Sequence, residues 1–132
     1  MDGVAHVIID NPPINLFDLV LYPEMVRVSA ELRDDEDVRA VVVSSANPEF
    51  FIAHFDVSLI LQLPTGRPAP VVVSDFHQMC ENFRTMPKPT ICAIDGRVGG
   101  GGSEVTLSMD MRFASPRAVF SQPEVALGII PG

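Results

Sequence analysis

Four consecutive glycines, Gly99–Gly102, stand between the apolar run Pro89-Thr-Ile-Cys-Ala-Ile94 and the segment Val105-Thr-Leu-Ser-Met109. The first run reads as a buried strand and the second as the first turns of a helix. A chain that turns sharply through glycine from strand to helix leaves unpaired backbone N–H groups at the helix start. Glycine has no Cβ, so a ligand can approach that backbone closely. Ser103-Glu104 follows at once. A carboxylate in the first helical turn is favoured by the helix dipole, and it can exchange protons with whatever atom the N–H groups hold. A flexible linker is the alternative, but linkers do not usually join a buried strand to a helix. A phosphate loop fits poorly, because the Lys-Ser/Thr pair is missing and Glu104 puts negative charge where a phosphate would rest. A dinucleotide fingerprint fails on spacing: begun at Gly99 its third place falls on Glu104, and begun at Gly100 it falls on Val105. By spacing, an oxyanion-type site is the reading carried forward.

The rest of the chain alternates strands and helices, which indicates an α/β domain. Val4 to Ile9 reads as a strand and Asn11-Pro-Pro-Ile-Asn15 as a turn. Leu19 to Leu32 reads as a helix starting near Pro23, with Met25, Val28 and Leu32 on its apolar stripe. Asp34 to Asp37 is an acidic turn, and Val38 to Ser44 is a strand apolar enough for burial on both faces. Ser45 to Phe55 reads as a long loop, Asp56 to Leu63 as a short helix, and Pro64 to Pro70 as an exposed loop. Val72 to Met86 reads as a helix with Val73, Phe76, Cys80 and Phe83 as its stripe. Met111 to Ser115 is a further strand, and Val119 to Gly132 is irregular.

The 132 residues suffice for one domain. With 47% hydrophobic residues the chain can bury a core, and no apolar run reaches the roughly 18 residues of a membrane span. The net charge of −8, without a Lys/Arg cluster, argues against nucleic acid as a partner. No basic region precedes an apolar stretch at the N-terminus, so a signal peptide is not expected. Cys80 and Cys92 read as small core residues in the reduced state, and a cytoplasmic setting is the expectation.

Two further segments invite chemistry. Glu124, in Ser121-Gln-Pro-Glu124, lies in an apolar stretch, where a carboxylate is costly to bury unless paired or functional; on the local sequence alone a surface glutamate is the commoner reading. Glu49-Phe-Phe-Ile-Ala-His-Phe-Asp56 places three phenylalanines and a histidine in one loop, the pattern of a binding loop. His54 by itself is more often structural than catalytic. No His/Cys grouping has metal-ligand spacing, so no metal is expected.

Taken in order, these segments resemble the enoyl-CoA hydratase/isomerase (crotonase) superfamily along nearly the whole chain. The resemblance rests on Asn11-Pro-Pro-Ile-Asn15, Asp37-Val-Arg-Ala-Val-Val-Val43, Phe51-Ile-Ala-His-Phe-Asp-Val57, Pro87-Lys-Pro-Thr-Ile-Cys-Ala-Ile-Asp-Gly96, the glycine turn and Phe120-Ser-Gln-Pro-Glu-Val-Ala-Leu-Gly-Ile-Ile-Pro-Gly132. It implies a spiral of ββα units that binds an acyl-CoA thioester and stabilises an enolate at the thioester carbonyl. By position it assigns the two oxyanion donors to the backbone N–H groups of Phe55 and Gly101. It assigns the water-gripping pair to Glu104 and Glu124, whose separation of 20 residues (124 − 104) fits the hydratase pattern. Contacts to the coenzyme A moiety fall to Ala53, His54, Asp56 and Gly100. No cofactor is implied, because the coenzyme A thioester is the substrate.

The pattern departs from the family in two places. His54 stands where the family usually has Gly, and would be strained if that position needed φ > 0. Phe55 replaces a small residue, and its ring would narrow the thioester tunnel or stack near the adenine. Family members continue well past Pro131-Gly132, so the resemblance implies that residues 1–132 are the N-terminal part of a crotonase-like domain, truncated before the C-terminal helices, and that the full-length protein forms a trimer or dimer of trimers. An isolated piece is expected to expose apolar surface and to be inactive or aggregation-prone. A hydratase-type lyase is the leading expectation. Isomerisation, thioester hydrolysis, and a non-catalytic acyl-CoA-binding or interaction role are the alternatives.

Overall fold

The computed structural model describes residues 3–62, 66 and 71–132. The chain runs through β1 (Val4–Ile9), α1 (Leu21–Asp34), β2 (Ala40–Ser45), β3 (Phe50–Ile52), α2 (Val57–Ile60), α3 (Asp75–Thr85), β4 (Thr90–Ile94), β5 (Arg97–Gly99), α4 (Gly101–Leu107), β6 (Met111–Ala114) and β7 (Val119–Ser121), ending in a 3-10 turn over Pro123–Leu127. The strands sort into two parallel sheets, one ordered β1-β2-β4-β6 and the other β3-β5-β7. After β1 and α1, each turn of the chain lays one strand in the larger sheet and a short one in the smaller sheet, followed after β3 and β5 by helix. This is the expected spiral of ββα units.

Local chemistry sets the helix ends. Asp18 Oδ1 accepts the N–H groups of Val20 and Leu21, both at 2.9 Å, and so starts α1. Pro23 falls in the first turn, where its missing N–H is tolerated. Ser74 caps α3 by accepting the His77 N–H. The helices pack on each other through a polar contact: the Asn82 amide donates to Ser29 Oγ at 3.1 Å, and both residues are buried. The core between helices and sheets contains Phe17, Phe51, Phe83, Ile52, Met79, Val41 and Val43. Each fully buried side chain of this size contributes about 1.5–3 kcal/mol relative to exposure.

Several boundaries differ from those expected. The segment read as a long loop contains β3, a short strand β5 leads into the glycine turn and ends at Gly99, and the irregular tail contains β7 and the 3-10 turn. The glycines do not merely precede α4, since Gly101 and Gly102 are its first residues. The buried face of α1 is Leu21, Met25 and Ser29 rather than Met25, Val28 and Leu32. That of α3 is Met79, Asn82 and Phe83, while Phe76 and Cys80 are half-buried and Val73 is exposed. In β2 only Val41 and Val43 are fully buried, so one face is better covered than the other. The expected loop Pro64–Pro70 lies outside the described residues apart from Gly66.

Both cysteines are free; burial pushes the Cys92 thiol up to about 12 and raises Cys80 as well. Among the described residues no helix is long and apolar enough to cross a membrane. The last strands of the two sheets, β6 and β7, are exposed along their length, leaving Phe113, Val119 and Phe120 uncovered; Leu107 and Ile130 are exposed as well.

Candidate active site

The glycine turn is needed because three segments pass through one place. Strand β5 pairs with β3 on one side and with β7 on the other. A Cβ on Gly99 would sit 2.6 Å from Ala53 O and 2.7 Å from Ser121 Oγ, and one on Gly102 would sit 2.6 Å from the Ile52 side chain. Gly100 has φ 49° and ψ −128°, a backbone conformation that other residues rarely adopt. Its N–H donates to Ser121 O at 3.0 Å, and its carbonyl accepts the Glu104 N–H at 3.1 Å. The Gly101 N–H, at the start of α4, meets no acceptor among the described residues.

The Phe55 loop approaches from the other side. Phe17 N–H donates to His54 O at 3.0 Å and Asp56 N–H donates to Phe17 O at 2.9 Å, an isolated parallel bridge. Between these rungs, the Phe55 N–H meets no acceptor among the described residues. The Phe55 ring packs edge-on against Tyr22 (centroids 5.2 Å apart), Phe17 and Phe76. His54 keeps an ordinary negative φ, so the strain expected of a glycine position does not arise; its Nδ1 lies 2.8 Å from Phe55 O. Asp56 caps α2 by accepting the Ser58 N–H.

Two adjoining cavities lie where the loops meet. One, of about 240 Å³, is lined by His54, Phe55, Val57, Gly100, Gly101, Glu124 and the apolar side of the 3-10 turn through Ile129. The other, of about 270 Å³, is lined by Phe55, Phe76, Gly101, Glu104, Glu124, Ile129, Ile130 and Gly132. Phe55, Gly101 and Glu124 belong to both. The fold thus brings together Glu104, Glu124, Phe55, Gly101, His54 and Gly100. Ala53 and Asp56 do not line either cavity, although Ala53 O packs against Gly99. Phe76, Ile129 and Ile130 were not singled out as site residues from the sequence. Phe76 leaves a signal as a member of the expected α3 stripe; Ile129 and Ile130 lie in the Phe120–Gly132 segment that carries the resemblance, where nothing marks them as lining a site.

The two carboxyl groups differ. Burial raises the Glu104 pKa above the usual carboxylate value, the nearby Glu124 charge adds to this, and the Gly132 N–H, donating to Oε1 at 2.8 Å, opposes it. Glu124 Oε2 is buried without a hydrogen-bond partner among the described residues. Its Oε1 lies only 3.0 Å from where a Cβ on Gly100 would stand. With its amide assigned so that the nitrogen faces acceptors, Gln122 donates to the carbonyls of Ser121 (3.0 Å) and Gly100 (3.1 Å); in the opposite assignment it donates to Glu104 Oε1 at 3.4 Å. A buried carboxylate oxygen with no donor is unfavourable by itself, and such groups concentrate at sites where a ligand supplies the partner.

The sequence matches the family model for enoyl-CoA hydratase/isomerase over residues 1–132. It is 36% identical over 132 residues to the short-chain-enoyl-CoA hydratase of Clostridium acetobutylicum, covering 98% of this chain and 49% of that one. It is 33% identical to the peroxisomal fatty acid beta-oxidation multifunctional protein of Oryza sativa, covering 99% of this chain and 18% of that one. Among solved structures, a Streptomyces avermitilis protein superposes with a TM-score of 0.83 at 39% identity, covering 100% of this chain and 50% of the other. The enoyl-CoA hydratase of Bacillus anthracis gives a TM-score of 0.83 at 26% identity, covering 98% and 50%. The chain thus spans half or less of the length of these relatives. With the parallel ββα spiral and the converging loops already described, it belongs to the enoyl-CoA hydratase/isomerase family.

Proposed function

We propose that this chain carries the catalytic centre of a hydratase that adds water to an α,β-unsaturated acyl-CoA thioester. The observation that carries the reading is the convergence on adjoining cavities of Glu104, Glu124 and the acceptor-free N–H groups of Phe55 and Gly101. Adding water at the β-carbon builds negative charge on the thioester oxygen. Two fixed N–H donors aimed at that oxygen stabilise the transition state, and removing one such donor typically lowers the rate about a hundred- to a thousandfold. Glu104, made more basic by its burial, takes a proton from the attacking water. Glu124, which lines both cavities, delivers a proton to the α-carbon. The cavity lined by Glu104, Glu124, Phe76 and Ile130 receives the acyl end of the substrate, and the adjoining one between His54 and Leu127 the coenzyme A side of the thioester.

Isomerisation is the second reading, favoured by the unequal surroundings of the two glutamates: one is held by the Gly132 N–H, while the other has an unpartnered oxygen. In that case a single carboxylate would move the proton. Incubating the protein, expressed in full, with a short-chain 2-enoyl-CoA separates the two. Formation of the 3-hydroxyacyl thioester supports hydration. A shifted double bond without water uptake supports isomerisation. Tight acyl-CoA binding without either product removes the catalytic reading.

A further inference from the structure

The turn Asn11–Asn15 carries a hydrogen-bond network that the proposed chemistry does not itself use. Asn15 is 1% exposed and adopts φ 51°, the one non-glycine residue with positive φ among those described. Its Oδ1 accepts the Asn11 N–H at 2.7 Å. Its Nδ2 lies 2.8 Å from Ser45 Oγ, 3.2 Å from Phe50 O and 3.1 Å from Phe51 O, at the ends of β2 and β3. One buried carboxamide therefore ties the turn to both sheets. Buried amides in such networks specify a single arrangement, because leaving any member unpaired is costly.

Two residues further on, the same loop meets Phe55. The His54 carbonyl is held by the Phe17 N–H at 3.0 Å, and the Ala53 N–H donates to Ile14 O at 3.2 Å. The His54–Phe55 peptide is trans, so with its carbonyl turned toward Phe17 its N–H points the opposite way. Phe17 is fully buried, and its ring lies 3.5 Å from the point where a Cβ on Gly101 would stand. Its backbone thus orients the donor peptide of Phe55 while its ring abuts the residue that carries the second donor.

We propose that the Asn11–Asp18 loop aims the oxyanion donor at Phe55, with Asn15 as the positioning residue that anchors it. This rests on the reading of Phe55 and Gly101 as oxyanion donors. Asn15 touches no substrate; it acts through Phe17. Two substitutions separate its backbone role from its amide. Asn15→Gly keeps access to positive φ and loses the carboxamide. Asn15→Asp keeps the acceptor and tolerates positive φ, but loses the donor. Ser45→Ala removes a single partner of the amide and serves as the mild variant if the others fold poorly.

The readouts are kcat and KM for a short enoyl-CoA, the carbonyl stretching band of a bound acyl-CoA by difference infrared spectroscopy, and the urea midpoint. In wild type the bound thioester band moves to lower frequency, as donors on the carbonyl oxygen require. In folded Asn15→Gly and Asn15→Asp that band returns toward the free value. The kcat falls about tenfold to a hundredfold, as for a misplacement of about an ångström, with KM within a fewfold. Ser45→Ala moves the band the same way by less. An unmoved band and unchanged kcat in folded variants would overturn the proposal, and so would equal losses in kcat and KM with a wild-type band. A wild-type band shift without hydration would remove the hydratase reading alone, and the variant bands would then judge the positioning role. No wild-type shift would remove both.

Discussion

The two candidate donors are held in opposite ways. Gly101 is placed locally: β5, one glycine with a permissive backbone and the first turn of α4 follow each other directly in the chain. Phe55 is placed from a distance, through rungs to Phe17 and Ile14 in a loop about forty residues earlier in sequence. The comparison teaches that a two-donor site needs a local device on one side only, since the fold can import the second from a remote turn. It also implies different sensitivities. The glycine turn should fail by steric conflict, whereas the Phe55 loop should fail when its backbone partners are removed and tolerate changes of its own side chain better.

The largest effect should come from the acids that both regions serve. Glu104→Gln and Glu124→Gln should each lower kcat about a hundred- to ten-thousandfold in a hydration assay; a wild-type rate in either removes that residue from the chemistry. Next, Gly101→Pro deletes one N–H at a helix position that accepts proline. The rate should fall about a hundred- to a thousandfold, while Phe55→Ala, which retains its N–H, should lose far less. Equal losses would break the contrast between the two regions. Third, Gly102→Ala drives a Cβ into Ile52. It should lower stability by about 1–3 kcal/mol, read as a lower urea midpoint.

The smallest effect is a pH dependence. The Glu104 carboxyl has a raised pKa in the folded state, so the native protein binds its proton more tightly than the unfolded chain does. Its contribution to stability is present at low pH and is lost as pH rises from the ordinary carboxylate value through the raised one. Glu104→Gln should therefore gain stability relative to wild type above that window, and the gap should close below it. The hydration rate should fall on the acid side as Glu104 takes up its proton. Urea midpoints and rates across pH 4–8 check both; a gap that widens toward acid would contradict the assignment.

Legibility in the sequence followed the same division. The glycine turn, β1, β4 and the two longer helices could be read because each carries its signal within its own segment, although β1 and β4 pair with partners distant in sequence. Strands β3, β5 and β7 could not, because each is three residues long and pairs only with the others. In α3, Phe83 lies in the core and Phe76 and Cys80 pack against it as expected, but the fully buried face turns toward Met79 and Asn82, because Asn82 meets Ser29 in a polar contact that apolar spacing does not register. Glu124 reads locally as a surface residue, and only the approach of the 3-10 turn to Gly100 places it beside Glu104 in one cavity. Phe55 as a donor carries no mark in its own segment. The resemblance to the family pointed to it, and the bridge to Phe17 supplies the physical reason its N–H stays uncommitted.

The central claim is that two backbone amides and two carboxyl groups face one substrate. Its most direct test is a crystal structure of the protein with a non-reactive acyl-CoA thioester bound. The thioester oxygen should lie about 2.7–3.1 Å from both the Phe55 and Gly101 nitrogens, with Glu104 and Glu124 on the acyl side of the thioester. A thioester oxygen that contacts neither nitrogen, or carboxyl groups remote from the acyl carbons, would contradict it.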